Sequence, residues 1–251
     1  MERLSRSDLQ AILGFLELAY GAASEEPFPP AVLESLSSLV PCDELSFTEL
    51  DRVGKKGIRG VVYRKDGPAS GPGLETFWRL VHEHPLCAQT VAGRFNALKI
   101  SDFVTSRELR GREIYGEWFR PWQTEHELEI GIPSPLWHTK TLVVGRSKAR
   151  PDFNERDRSV LNALQPHLIQ LYRNATLRQQ LADGCDDSVV AAVLTDRERE
   201  ILMLVRAGKT NSQIAGELWI APGTVRKHLE NIYRKLGVQS RTAALARLSG
   251  R

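Results

Sequence analysis

The sequence predicts a two-part chain: an α+β N-terminal domain, built as an antiparallel sheet with flanking helices, followed by an all-α domain of four helices. Three observations carry this. The segment Leu181-Ala-Asp-Gly-Cys-Asp-Asp-Ser188 is polar, acidic and glycine-bearing, and it interrupts two helical patterns as a linker does. Before it, helix and strand periods are mixed; after it, only the helical period recurs. The charge divides at the same place. Residues 190–251 hold eleven Lys and Arg against five Asp and Glu, a net of +6, whereas the preceding 189 residues hold 23 against 26, a net of −3. A basic tail on a slightly acidic body points to a polyanion as the tail's partner. The expected boundaries are a first domain over 1–180 ending in a connecting helix, a linker over 181–190, and a second domain over 191–251.

In chain order, Leu9, Ile12, Leu13, Leu16, Leu18 and Ala19 suit a first helix, and residues 31–40 a second. Residues 45–50 and 58–64 read as strands around the turn Val53-Gly-Lys-Lys-Gly57. Residues 67–73 form a Gly/Pro loop, 74–84 a helix, and 137–146 another strand. Residues 152–181 read as one long helix. Asn154 can cap it, Val160, Leu161, Leu164, Leu168, Leu171 and Tyr172 give its apolar stripe, and Pro166 kinks it unless the freed carbonyl finds another partner. Such a helix either makes a dimer contact or packs on its own domain.

In the second domain Thr195 and Glu198 have capping-box spacing, as do Thr210 and Gln213. Ile201, Leu202, Leu204 and Val205 form the stripe of a first helix that ends at Gly208; Ile214, Ala215 and Leu218 form that of a second. Pro222 suits the first position of a third helix. There Val225, Leu229, Ile232 and Leu236 share one face, while Thr224, Arg226, Lys227, Glu230, Asn231, Arg234 and Lys235 occupy the other. Gly237 ends that helix, and Ser240 caps a final one through Leu248. Short helices followed by a basic amphipathic helix match a helix-turn-helix, which lays its second helix in the major groove.

The strings Leu194-Thr-x-x-Glu198, Asn211-x-x-Ile-Ala215, Pro222-x-Thr-Val225, His228-x-x-Asn-Ile232 and Lys235-Leu-Gly-Val238 closely resemble the LuxR-type DNA-binding domain. The resemblance implies that residues 211–230, opening at Asn211, form the helix-turn-helix. It implies that Arg226, Lys227 and Glu230 face bases and that Thr224, Asn231 and Lys235 bind the phosphate backbone. Arginine can hold guanine O6 and N7 together, whereas lysine on phosphate positions without specifying. Glu230 either accepts from cytosine N4 or repels phosphate. Two departures stand out: Ala221 replaces a frequent serine, leaving a helix cap without its hydroxyl, and Gly223 replaces a longer polar residue.

The N-terminal half resembles GAF-type sensory regions, through Ser101-Asp-Phe103, Phe119-Arg-Pro121, Phe153-x-Glu-Arg-Asp157 and Pro166-His-Leu168. That implies a GAF/PAS-like antiparallel sheet with flanking helices, acting as a sensor, but names no ligand. Tyr115, Trp118 and Trp122 are the candidate ligand-binding residues. The alternative is a domain serving only dimerisation or protein docking. Together the resemblances imply a DNA-binding transcriptional regulator with double-stranded operator DNA as partner, a homodimer, a small-molecule effector, and RNA polymerase if the protein activates.

Other classes find little support in the residues. There is no nucleophile elbow, phosphate-binding glycine loop or zinc signature, so no catalytic activity, metal or cofactor is expected. Cys42, Cys87 and Cys185 are odd in number and form no CxxC pair, so reduced thiols are expected, with Cys185 the most exposed. His82-x-His84 lacks a third ligand in sequence, and His126 and His138 read as surface residues. No apolar run reaches the roughly 20 residues that span a bilayer, and no leader is evident, so a cytoplasmic protein without a membrane partner is expected.

Overall fold

A computed structural model describes residues 4–22, 24–65, 71–134, 138–182 and 194–248. These separate into two compact units, one up to Thr176 and the other from Leu177 onward.

The first unit opens with α1 (Arg6–Gly21), which Ser5 and Asp8 start as a reciprocal capping box, and α2 (Pro30–Leu39), which has proline at its first turn. Strands β1 (Glu44–Asp51) and β2 (Lys56–Arg64) form a hairpin; at its turn Asp51 accepts from the amides of Val53 and Gly54. Then come α3 (Leu74–Leu80), α4 (Cys87–Val91), the two-residue β3 (Leu98–Lys99) and α5 (Ser106–Arg110). A wide turn over Tyr115–Phe119, closed by the Arg120 amide on the Tyr115 carbonyl, leads into β4 (His126–Gly131) and β5 (His138–Arg146). Helix α6 (Glu155–Ala182) follows, started by Asn154 and Asp157, whose side chains each accept from the other's amide.

The described strands form one antiparallel sheet in the order β2-β1-β5-β4-β3, the GAF/PAS-like α+β layering expected. Because strand side chains alternate, the sheet has two different faces. Leu45 and Phe47, Leu142 and Val144, and Leu128 and Ile130 pack onto α1, α2 and α6, with Phe28 against Phe47 at 4.9 Å. The opposite face carries Glu44, Ser46, Thr48, Glu127, Glu129, Thr141 and Val143, and is roofed by α3, α4 and the Tyr115–Phe119 turn.

The structure departs from the sequence reading at several points. No strand was expected over His126–Gly131, yet β4 lies inside the sheet between β5 and β3. His126 and His138 are partly buried, not surface residues, because both sit on strands. Pro166 lies within an uninterrupted helix, and that helix runs through Ala182, so the first two residues of the expected linker are helical. The rest of that linker and Cys185 lie outside the described residues.

Among its described residues the second unit holds α7 (Asp196–Arg206), α8 (Asn211–Leu218), α9 (Pro222–Leu236) and α10 (Arg241–Leu248). Both expected capping boxes are formed, and the Ser240 hydroxyl accepts from the Ala243 amide. Gly208 and Gly237 sit at φ +78° and +65°, in the left-handed region that a helix C-terminus uses. Ile201, Leu202, Val205, Ile214, Val225, Ile232 and Ala244 are buried in this unit. No described helix is long and apolar enough to cross a membrane.

Candidate DNA-binding face and N-terminal cavity

Helix α9 is fixed by burial of Val225, Leu229, Ile232 and Leu236, four side chains on one stripe. Its outer face exposes Gly223, Thr224, Arg226, Lys227 and Glu230. Arg226 Nε lies 3.2 Å from Glu230 Oε1 one turn on, and both side chains are more than half exposed, so the pair can open without desolvation cost. Asn211 is the first residue of α8, half-buried at the start of the motif. Asn231 Oδ1 accepts from Arg234 at 2.8 Å.

Lys235 has a different setting from the other basic residues. Its Nζ donates to Glu198 Oε2 at 2.6 Å, and Glu198 is the buried carboxylate of the α7 capping box. The Thr195 amide and hydroxyl and Lys235 together hold that carboxylate below its ordinary pKa, against the opposing effect of burial. The charge of Lys235 is therefore already committed inside the module.

The turn between α8 and α9 hangs on Trp219, which adopts φ +54° and is 94% exposed. Ala221 starts α9 without a side-chain cap, and Pro222 stands at its first turn, as the sequence implied.

The first unit encloses a cavity of about 510 Å³ between the sheet's second face and its roof. That volume lies within the range of small-molecule sites. Phe77, Trp78, Trp118, Phe119 and Trp122 supply aromatic wall, with ring centroids 5.2 Å apart for Phe77–Trp118 and 6.0 Å for Trp118–Trp122. Of the three ligand candidates, Trp118 and Trp122 line the cavity and Tyr115 does not. The wide turn points Tyr115 elsewhere, and its hydroxyl donates to Glu125 Oε2 at 2.8 Å, beside Arg110.

The floor is acidic. In register across the sheet, Glu44 and Glu127 flank Gly145, while Ser46 and Glu129 flank Val143. Glu44 is neutralised by Arg64 at 2.5 Å. Glu129 accepts from the Thr90 hydroxyl, at 2.7 Å, and burial raises its pKa to about 7. Glu127 is raised well above the carboxylate range by burial, then by the charges of Glu129 and Glu44, and its Oε1 has no hydrogen-bond partner.

The nearest basic group to Glu127 is His84, with Nε2 at 3.5 Å. His84 is itself buried; its Nδ1 accepts from the Leu86 amide, and burial followed by Arg112 lowers its pKa to about 4. It is therefore neutral near pH 7 and supplies no counter-charge. The indole nitrogens of Trp78 and Trp122 are also buried without partners. None of the glutamates, nor Phe77 or Trp78, was singled out from sequence. The available signal was the period-two alternation in His126-Glu-Leu-Glu-Ile-Gly131.

The GAF-resembling residues have structural work instead. Buried Arg146 donates to Asp157 at 3.0 Å and to the carbonyls of Pro41, Pro151 and Asp152, and lies 4.0 Å over the Phe153 ring. Cys42 is buried and its thiol is pushed up to about 12 by burial, while Cys87 lines the cavity with its pKa also raised by burial. No metal-binding group of three or more His, Cys, Asp or Glu occurs among the described residues.

Residues 192–248 match the luxR family of bacterial regulatory proteins. The chain is 49% identical over 57 residues to a probable transcriptional regulatory protein NarL of Mycobacterium tuberculosis, covering 23% of this chain and 26% of that protein. It is 34% identical over 139 residues to the monoamine regulon transcriptional regulator of Klebsiella aerogenes, covering 55% of this chain and 56% of that protein. The chain thus spans about a quarter to about half the length of these curated relatives. Among solved structures, the VqsR ligand-binding domain of Pseudomonas aeruginosa aligns with TM-score 0.47 and 15% identity over 68% of this chain and 97% of that one. Escherichia coli SdiA aligns with TM-score 0.39 and 17% identity over 97% and 96%. The matched segment, with its capped helices and outward basic face on α9, makes residues 192–248 a LuxR-type helix-turn-helix domain.

Proposed function

We propose that the protein is a sequence-specific, DNA-binding transcriptional regulator whose N-terminal unit senses a small molecule. The observation that carries the DNA reading is the outer face of α9: Thr224, Arg226, Lys227 and Glu230 are exposed on a helix whose other face is fully buried. Arg226 and Lys227 read base edges, while Thr224, Asn211 and Asn231 position the helix against phosphates. Lys235, bound to Glu198, contributes to the backbone field only if it exchanges that partner for phosphate. The domains are 1–180, a linker over 181–190, and 191–251.

The active form on this reading is a homodimer whose recognition helices meet half-sites about one helical turn apart, roughly 10 base pairs. Leu9 and Leu13 support self-association, since they stand one turn apart on α1 and are 51% and 65% exposed. The cavity favours a ligand sensor over a mere docking domain, because a docking domain has no need of a 510 Å³ space lined by aromatic rings and buried glutamates. RNA polymerase is a further partner if the protein activates, and no enzymatic activity is proposed.

The test is selective capture of genomic fragments by the purified protein beside an Arg226→Ala, Lys227→Ala variant. An inverted-repeat motif lost in the variant supports the reading; a protein that enriches no motif, with and without cell extract as a source of effector, overturns it. Arg226→Ala alone should cost about 1–3 kcal/mol of operator affinity. An equal loss on random DNA would place Arg226 on phosphate instead.

A further inference from the structure

We propose that the N-terminal cavity is a site for a protonated organic amine with an aromatic-sized apolar body, its ammonium group set between Glu127 and Glu129 and its body against Trp78, Trp118 and Trp122. The proposal deepens the sensor reading above, and rests on it only for the consequence that binding alters regulation.

The geometry supplies both halves of such a site. Glu127 and Glu129 lie two residues apart on the cavity face of β4, so their carboxyl groups project side by side from one strand, roughly 7 Å apart along it. Both residues are buried, at 5% and 7% exposure, and no cation among the described residues compensates them. Arg64 is taken by Glu44, and His84 is neutral. Arg52, the other guanidinium in the lining, bears on Cys87. His82 is exposed.

Two buried carboxyl groups without a counter-ion are costly to ionise, and a bound ammonium would remove that cost. The indole and phenyl faces of the roof are suited to the same ligand, since a desolvated cation is attracted to an aromatic face by up to about 2 kcal/mol. A carboxylate or phosphate ligand would be desolvated beside two buried carboxyl groups, with Arg64 already held by Glu44.

Protons discriminate between ligand charges. Burial raises Glu129 to about 7 and raises Glu127 as well, so near neutral pH the unliganded floor is partly protonated; binding an ammonium ion expels proton, whereas binding a neutral ligand does not.

The experiment uses the full chain without DNA and three probes of one shape: 2-phenylethylamine, 2-phenylethanol and phenylacetate. Calorimetry should show the amine binding at least tenfold more tightly than the alcohol, with the acid weakest. Heats in buffers of different ionisation enthalpy should report proton release, and amine affinity should rise between pH 6 and pH 8. Glu127→Gln with Glu129→Gln should lower amine affinity tenfold or more while leaving the alcohol within threefold. Equal binding of amine and alcohol, absence of proton release, or no amine binding at millimolar concentration would each overturn the proposal. The proton and pH measurements need only the natural chain, so they decide the matter even if the double variant does not fold. Since no step involves DNA, failure of the amine leaves the regulator reading intact, and failure of operator capture leaves the amine site intact.

Discussion

Arg146 ties a strand, two loops and a helix together. Five donors in a rigid fork let one side chain serve Asp157 and three carbonyls, which lysine cannot reproduce. Arg146→Met should therefore destabilise the first unit by about 3–5 kcal/mol, the range for removing one partner of a buried pair. Denaturant unfolding followed by tryptophan fluorescence would show it, and a loss under about 1 kcal/mol would mean Asp157 finds another donor. Trp219 poses the opposite case. A non-glycine residue at φ +54° costs about 1 kcal/mol, and at 94% exposure its indole buries nothing in return. Trp219→Gly should stabilise the second unit by about 0.5–1 kcal/mol; an unchanged or lower unfolding midpoint would show that the ring packs in solution. Glu127 and Glu129 show what residue types hide. Glutamate ordinarily marks solvent, so the alternation over His126–Gly131 marks a strand face but not that Glu127 and Glu129 are set against a cavity.

At the level of elements, legibility followed periodicity and caps. Helix α9 was readable because its four buried positions, its proline start and its glycine stop are all local signals, and the exposed face follows once the stripe is fixed. Both capping boxes and the long α6 were readable for the same reason. Strand β4 was not: its inward Leu128 and Ile130 alternate with two glutamates, a pattern of a half-exposed strand, and only the roof of α3 and α4 makes both faces buried. Tyr115 was misplaced through a related limit, since a wide turn shifts which residues share a side. The missing cap of α9 leads to an element-scale prediction. The Ala221 backbone already has extended, cap-like angles, φ −71° and ψ 146°, so serine needs no rearrangement there. Ala221→Ser should add about 0.5–1 kcal/mol to the stability of the second unit, read as a raised unfolding midpoint. On α1, Leu13→Glu should leave folding intact and shift sedimentation toward monomer if the exposed stripe is the self-association face.

At the scale of the whole molecule, the buried cavity floor sets a pH dependence opposite to that of most acidic residues. A carboxyl group whose pKa rises on folding keeps its proton in the native state, so its contribution is intact below the unfolded value near 4.5 and is lost as pH rises toward the folded value. For Glu129 that loss runs from about 4.5 to about 7, and Glu127, also raised by burial, contributes in the same direction. His84 works the other way. Lowered to about 4, it stays neutral in the native state, and its penalty develops only as pH falls from about 6.5 toward 4. Between pH 4.5 and 6.5 His84 and Glu129 oppose each other; from 6.5 to about 7 the loss at Glu129 continues without that opposition. The unliganded protein should therefore lose stability from pH 6 to pH 8, by about 1 kcal/mol through Glu129 with Glu127 acting in the same direction, since each tenfold difference in proton affinity between folded and unfolded chain is worth roughly 1.4 kcal/mol. For a unit of this size that is a fall of several degrees in the unfolding midpoint. Glu127→Gln with Glu129→Gln should abolish the fall and raise the midpoint at pH 8, because an amide carries no charge to desolvate. Exposed groups titrate equally in both proteins, so the difference between the two profiles isolates the floor. A bound amine should flatten the profile of the natural chain in the same way, by replacing the expelled proton with its own charge. Parallel profiles for the natural chain and the variant would mean that water reaches the glutamates and that the floor is ionised before any ligand arrives.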